Sequence, residues 1–490
     1  MNRADDRDSS GAPPLPIPLE RVSNGEYVPP PLSSVAREAV RRSLEHADHR
    51  ARRYGMDRRT FLRSAMGAAS MLFFLDACSK EEARSTGREP GGSFTVPSSA
   101  TTDPDTARTT LAPVVDEFVF DVQTHLLEYD LTGGGPAFGQ GFPQAACGAD
   151  DWRTCFDVEH WLDEVFVRSD TALAVISAVP VLSDPNPLSI AVMENARRAA
   201  DQVCGDGRVL LHGQVNPNVG RLADALDGMA RLADEHPIAA WKAYTHVPGD
   251  RGWFLDDSDP DAVQCGQRFL DQVRAVGPPI VCVHKGFGGG SRFSSPVDIG
   301  RAAAANPDIA FVVYHSGYDG PEGPYTESTA DVGVNRLVTT LRDAGVAPGS
   351  NVYAELGSTW FNAMRDPTQA AHVLGKLLLA VGEDNVVWGT DSIWYGSPQG
   401  QIEAFRTFAI SEQLRDEYGY PSLTPETKRK ILGANSARVY GIDPATVPPT
   451  CDADPEALEE LRLALPATRP MGPRTASEVR ALLDAHGGLA

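Results

Sequence analysis

The sequence predicts an α/β fold, a (β/α)8 TIM barrel, on three observations. Eight short apolar runs recur between residues 117 and 391. The segments between them carry apolar residues at three- and four-residue intervals, the period of an amphipathic helix. Polar side chains suited to metal chemistry stand where several runs end. Strand alternating with helix gives a parallel sheet through right-handed crossovers, and a βα barrel places its functional groups at the C-terminal strand ends. No Gly-x-Gly-x-x-Gly follows the first run, so an open dinucleotide-binding sheet lacks its fingerprint.

In chain order the predicted strands are Phe118–Asp121, Ala172–Ala178, Val209–Val215, Ile238–Tyr244, Pro279–Val283, Ile309–Tyr314, Asn351–Glu355 and Asn385–Gly389. Helical periodicity covers Glu159–Val167, Ala191–Val203, Arg221–Ala233, Ala262–Val276, Val334–Ala344 and Ala370–Val381. The Gly-rich stretch 286–290 follows the fifth strand and reads as a loop approaching a substrate.

The chemistry lies at the strand ends. The first strand runs Asp121-Val122-Gln123-Thr124-His125, and residues two apart on a strand share a face, so Gln123 and His125 point together into the mouth. His284 closes the fifth strand, His315 the sixth and Asp391 the eighth. The fourth puts Lys242, Tyr244 and His246 on one face; a lysine inside a barrel is costly unless paired or ligating. It is read either as carboxylated and bridging two metals or, preferably, as an ammonium holding a substrate carboxylate. Lys285, Arg251 and Arg292 on mouth loops could add anion-binding charge. Asn216 and Glu355 end the third and seventh strands as substrate or supporting contacts, and Trp253, Trp360 and Trp394 are expected to form an aromatic wall. His160, His212, His236 and His372 read as hydrogen-bonded core residues.

With these residues in place, the chain resembles the amidohydrolase superfamily, in its amidohydrolase-related group that includes aminocarboxymuconate semialdehyde decarboxylase. The likeness runs over about residues 116–442 and ends in Lys430-Ile431-Leu432-Gly433-Ala434-Asn435-Ser436-Ala437-Arg438-Val439-Tyr440, similar to the group's closing helix. The resemblance implies His125, His284 and Asp391 as ligands of one divalent metal ion, zinc or manganese, with His315 as ligand or acid–base. His315 and Asp391 are read as the catalytic pair, and Lys242, Tyr244, His246, Lys285 and Glu355, from their places at the strand ends and mouth, as candidate substrate contacts. One position departs from the group's His-x-His pair: Gln123 replaces the first His. It is read as a weaker, harder ligand favouring manganese, as a partner of metal-bound water, or as the mark of a metal-free lactonase-like site. The function implied is a metal-dependent hydrolase of an amide, ester or lactone of a small carboxylated or aromatic molecule, with a decarboxylase or hydratase as the alternative. A binding protein without turnover is the reading from another class.

A chain of 490 residues leaves long extensions around one barrel. Its net charge of −22 argues against a nucleic-acid partner. Residues 1–63 are instead net positive, 12 Arg against 9 Asp and Glu. They include Asp57-Arg58-Arg59-Thr60-Phe61-Leu62-Arg63 followed by the apolar stretch Ala65–Leu75, which resembles a twin-arginine export signal. Leu75-Asp76-Ala77-Cys78 resembles a lipoprotein cleavage box with an acidic misfit, which would make Cys78 a lipid anchor. The expected organisation is an N-terminal extension 1–50 without assigned role, a signal 51–78, a flexible tether 79–115, the barrel 116–442 and a helical extension 443–490 with helices Pro455–Leu463 and Ala476–Ala485. Further expectations are a helix over Ser33–Tyr54, a periplasmic or cell-surface location, a small-molecule substrate, the twin-arginine machinery as partner and a homo-oligomer. No cysteine pair has Cys-x-x-Cys spacing; Cys147–Cys155 is the expected disulfide and Cys282 a buried free thiol.

Overall fold

The structure, a computed structural model, describes residues 15–114, 117–129, 151–182, 186–288, 290–448, 450–451 and 472–485. Eight parallel strands form one sheet in sequence order: β1 (Val119–Thr124), β2 (Thr171–Ile176), β3 (Val209–Gln214), β4 (Ile238–Tyr244), β5 (Ile280–His284), β6 (Ala310–Tyr314), β7 (Val352–Glu355) and β8 (Val386–Val387). The ring closes where Val122 N donates to Trp388 O (3.1 Å), Asp391 N to Gln123 O (2.9 Å) and His125 N to Ser392 O (2.6 Å). The predicted (β/α)8 barrel is the observed fold.

Strand alternation separates two apolar layers. Phe120, Leu173, Val175, Ala240, Cys282, Val312, Tyr314, Tyr353 and Val387 pack together inside the ring, with Ala437 and Val447 in the same cluster. Their neighbours along each strand pack outward against the helices Ile190–Cys204, Leu222–Glu235, Gly266–Val276, Gly333–Asp343 and Pro367–Val381. The same parity carries Lys242 and Tyr244 inward above Ala240, His284 above Cys282, and Glu355 above Tyr353. In β1 the pairing with β2 shifts register between Asp121 and Thr124.

In the N-terminal region the expected helix over Ser33–Tyr54 is present. Helix α1 (Ser34–Tyr54) starts on Ser33, whose side chain accepts from Ala36 N. Helix α2 (Arg58–Arg63) is capped by Asp57, and α3 (Ala65–Ser85) follows directly. Phe61, Leu62, Met66, Ala69, Met71, Leu72, Leu75 and Cys78 are buried in the main core, while Arg58 and Arg59 are exposed. The segment expected to be a flexible tether is ordered. Gly92–Phe94 pairs antiparallel with Phe408–Ile410, a helix spans Pro104–Leu111, and Phe94, Val96, Ala100, Ala107 and Leu111 are buried. Its polar composition hid these few well-spaced apolar residues. Among the described residues no helix is long and apolar enough to cross a membrane.

A disulfide joins Cys204 to Cys451, 247 positions apart, which spacing alone did not anticipate. Cys155 is also disulfide-bonded, but Cys147, its expected partner, lies outside the described residues. Cys282 is a buried free thiol. The helix expected over Pro455–Leu463 lies outside the described residues; Ala476–Ala485 is helical.

Candidate metal centre

At the C-terminal rim of the barrel, Gln123, His125, Lys242, His246, His284, His315, Glu355 and Asp391 meet, none more than 2% exposed. Asp391 is the hub. Its Oδ1 lies 3.0 Å from His125 Nε2 and accepts from Gln123 Nε2 at 3.0 Å. Its Oδ2 accepts from Ser358 Oγ at 2.5 Å and from Asn24 Nδ2 at 2.9 Å. Burial alone would raise this carboxyl, yet the His125 contact, the His315 and His125 charges and the Ser358 hydroxyl hold it below its usual value.

Three histidines share one arrangement. A backbone carbonyl accepts from one ring nitrogen of each, so that nitrogen carries the hydrogen: His125 Nδ1 to Ser177 O (2.7 Å), His284 Nε2 to Gly286 O (3.0 Å) and His315 Nδ1 to Gly357 O (2.7 Å). In the neutral ring the other nitrogen is then a lone pair that a cation could take. His125 Nε2 meets Asp391, His284 Nδ1 lies 3.7 Å from Glu26 Oε1, and His315 Nε2 has no hydrogen-bond partner among the described residues. Fixing the tautomer from behind is how proteins prepare imidazoles for a cation. Burial keeps both His284 and His315 below the ordinary imidazole range, His315 down to about 4.

His315 and Asp391 also share a backbone feature. Both are left-handed, with φ of 64° and 59°, a conformation that costs non-glycine residues about 1 kcal/mol or more. Glu355 holds the first in place: its Oε2 accepts from His315 N at 2.9 Å and its Oε1 from Gly357 N. Glu355 therefore positions His315, the supporting role among the two that its strand-end position offered. Glycine is required around it, because a Cβ at Gly389 would lie 1.8 Å from Glu355 Oε1, and one at Gly357 would lie 2.3 Å from Gln123 Oε1.

The other expected substrate contacts divide. The Lys242 ammonium has no hydrogen-bond partner among the described residues and stands 3.7 Å from the Tyr314 ring centre and 4.7 Å from that of Tyr244. Burial lowers it to about 8. His246 leaves both ring nitrogens without a hydrogen-bond partner among the described residues, 4.8 Å ring to ring from His284. Tyr244 uses its hydroxyl on Ala178 O at 2.9 Å. Lys285 differs from the expectation: its ammonium pairs with buried Asp298 at 2.8 Å and donates to Phe293 O, so its charge serves the loop. Arg251 Nε donates to Asn218 O, and exposed Arg292 pairs with Asp259. Of the expected aromatic wall only Trp394 reaches the centre, stacked 5.8 Å from His125. Trp253 packs on Phe269, and Trp360 on Phe405 and Phe408.

Sequence reading missed two residues. Asn24 and Glu26, on a segment with no assigned role, enter the centre from across the mouth. Asn24 Nδ2 bridges Glu26 Oε2 (2.6 Å) and Asp391, and Tyr27 OH lies 3.1 Å from Tyr395 OH. Ile17, Leu19 and Val22 anchor the strap in the core. Glu26, His284 and His315 bring one ligand atom each within 4.8 Å of one another. The buried anchors Ile17, Leu19 and Val22 were the available signal; nothing in the sequence said which surface they cover.

The donors fit a cation. His125 Nε2 and His284 Nδ1 lie beside Asp391 and Glu26, and His315 Nε2 and Gln123 Oε1 are buried without partners among the described residues. Burial and the nearby Asp391 push the Glu26 carboxyl up to about 8, so a divalent ion would favour its deprotonation and be balanced by it together with Asp391.

The fold and this centre define a βα-barrel enzyme with its imidazole–carboxylate site at the strand ends. The amidohydrolase family model matches residues 120–442, and the chain belongs to that family. No curated protein matches it significantly. Among solved structures it is similar to apo IDCase of Metarhizium anisopliae (16% identity, 68% of this chain and 98% of that one, TM-score 0.37). It is also similar to 5-carboxyvanillate decarboxylase LigW of Sphingomonas paucimobilis (14%, 67% and 100%, 0.40) and to a candidate 2-pyrone-4,6-dicarboxylic acid hydrolase of Pseudomonas putida (14%, 66% and 98%, 0.38).

Proposed function

We propose that this enzyme is a metal-dependent hydrolase of an amide, ester or lactone of a small carboxylated or aromatic molecule. The observation that carries the reading is the shared arrangement of His125, His284 and His315, each fixed by a carbonyl behind, with the His284 and His315 ligand atoms within 4.8 Å of that of Glu26 and His125 Nε2 beside Asp391. His125 and His284, with Asp391, Glu26 and the Gln123 amide oxygen, would hold one divalent zinc or manganese ion, leaving His315 Nε2 for proton transfer. When bound, such an ion polarises a substrate carbonyl and lowers the pKa of coordinated water from about 15.7 toward about 7.

The chain's own residues then divide the work. Asp391, ionised despite burial, accepts a proton from attacking water. His315, neutral at working pH, accepts a hydrogen bond at Nε2 and relays a proton to the leaving group. Glu355 keeps His315 in its left-handed pose. Low exposure around them strengthens each electrostatic contact.

A decarboxylase is the second reading, favoured by Lys242, a buried unpartnered ammonium suited to a substrate carboxylate. Incubating metal-loaded enzyme with lactones, amides and aromatic acids separates the two: hydrolysis yields the ring-opened acid or the acid and amine without carbon dioxide, decarboxylation releases carbon dioxide. Dialysed protein holding no stoichiometric transition metal would sink both.

Export by the twin-arginine route is part of the proposal. Exposed Arg58 and Arg59 are available to a receptor, and the Cys204–Cys451 disulfide suits an oxidising compartment. Cleavage before Cys78 would remove Asn24 and Glu26 from the centre, so the mass of the exported protein decides whether the strap stays. Arg58→Lys with Arg59→Lys should trap the protein in the cytoplasm; unchanged fractionation would refute this route.

A further inference from the structure

A cavity of about 570 Å³ lies between the N-terminal strap and the barrel's mouth loops, lined among others by Glu26, Tyr27, Phe287, Tyr318, Asn362 and Arg365. Arg365 stands out. It is 7% exposed, and Nε and both terminal nitrogens lack a hydrogen-bond partner among the described residues. Its guanidinium lies 4.1 Å from the Phe361 ring centre, which holds the plane of the fork. A buried guanidinium with five donors and no acceptor is among the most costly side chains a protein can carry, and it asks for an anion.

The neighbouring acids do not answer it. Asp366 caps the helix Pro367–Val381 through Thr368 N and Gln369 N. Asp319 sits at the exposed rim. Glu20 acts on Arg365 only at a distance.

The walls define the rest of the ligand. Tyr27 and Phe287 stack at 4.5 Å, and Phe287 meets Tyr318 at 5.3 Å, forming a continuous aromatic side. Asn362 is spent on Tyr27 OH and Ser358 O, so it holds the wall in place. The cavity also touches the centre. Glu26 lines it and faces His284, and the Phe287 ring lies 5.3 Å from that of His315.

We infer that this cavity is a binding site for a small aromatic or otherwise flat organic carboxylate, held bidentately by Arg365 with its far end at Glu26. Arg365 is thus a specificity-determining residue. The inference rests on the proposed reading of the centre only in placing the ligand's reacting end there.

The test is calorimetry on the full-length chain with benzoate and its neutral counterpart benzamide, metal-loaded and after chelation. Wild type is expected to prefer benzoate. Arg365→Gln is expected to weaken benzoate at least tenfold, leave benzamide unchanged and erase the preference. Arg365→Lys, which keeps charge and stem but not the fork, should fall between and guards against misfolding in the first variant. Benzoate bound as tightly by Arg365→Gln as by wild type, or no preference for benzoate in wild type, overturns the site. Benzoate binding lost on chelation and untouched in Arg365→Gln belongs to the metal centre and overturns the site too. Arg365-dependent binding by protein that takes up no metal sustains the site while the metal reading fails.

Discussion

Asn24 Nδ2 donates to Asp391 Oδ2 across 2.9 Å, joining residues 367 positions apart and tying the N-terminal strap to the last strand end of the barrel. The same side chain donates to Glu26 Oε2, so one amide orients two carboxylates. A segment outside the span matched by the amidohydrolase family therefore completes the centre.

Glu26→Gln is expected to weaken manganese or zinc binding at least tenfold, about 1.4 kcal/mol, because it removes one of two carboxylates facing the imidazoles. Titration calorimetry on the folded variant reads this directly. Unchanged affinity would reduce Glu26 to a cover for the mouth.

Asp391→Asn and His315→Gln should each lower kcat by about 10² to 10⁴ with the fold retained, the range for losing a proton-transfer group. Asp391→Asn should also reduce bound metal, since it removes the carboxylate at His125 Nε2. Activity within twofold of wild type in either variant would remove that residue from the chemistry.

Gly389→Ala forces a methyl group to 1.8 Å from Glu355 Oε1, so that carboxylate must leave the His315 amide. The expected cost is about 1 to 3 kcal/mol in stability and a larger fall in turnover. A thermal melt beside a kinetic assay checks both. A variant as stable and as active as wild type would show that Glu355 does not hold His315.

His160 is neutral in the fold because burial lowers its pKa from 6.5 to about 4. Between those values the unfolded chain binds a proton that the folded chain does not, so stability from this residue is complete above pH 6.5 and falls as pH drops toward 4. Its ring resonances should titrate with a midpoint near 4. The stability difference between wild type and His160→Asn should shift against wild type by about 1 to 3 kcal/mol across that window. A midpoint near 6.5 would contradict the assignment.

How much was legible varies by residue. His125, His284, His315 and Asp391 were found because strand ends in a parallel barrel converge by construction, so order along the chain is enough to bring them to one rim. Glu355 was found with two tasks open, substrate or supporting contact; its partners are the His315 and Gly357 amides, and no periodicity reports where a carboxylate's oxygens point. Lys285 was placed correctly, but its partner, Asp298, is set by how the following loop folds back.

The sequence by itself determined the barrel, the ring of imidazoles and the position of the final aspartate, because periodicity and strand parity are local rules repeated along the chain. Only the tertiary structure decided that residues 15–32 fold over the mouth, that Arg365 is buried without a hydrogen-bond partner among the described residues, and that Cys204 meets Cys451. These depend on which distant surfaces a strap or loop covers. Packing of the whole molecule chooses that, and no short stretch of chain encodes it.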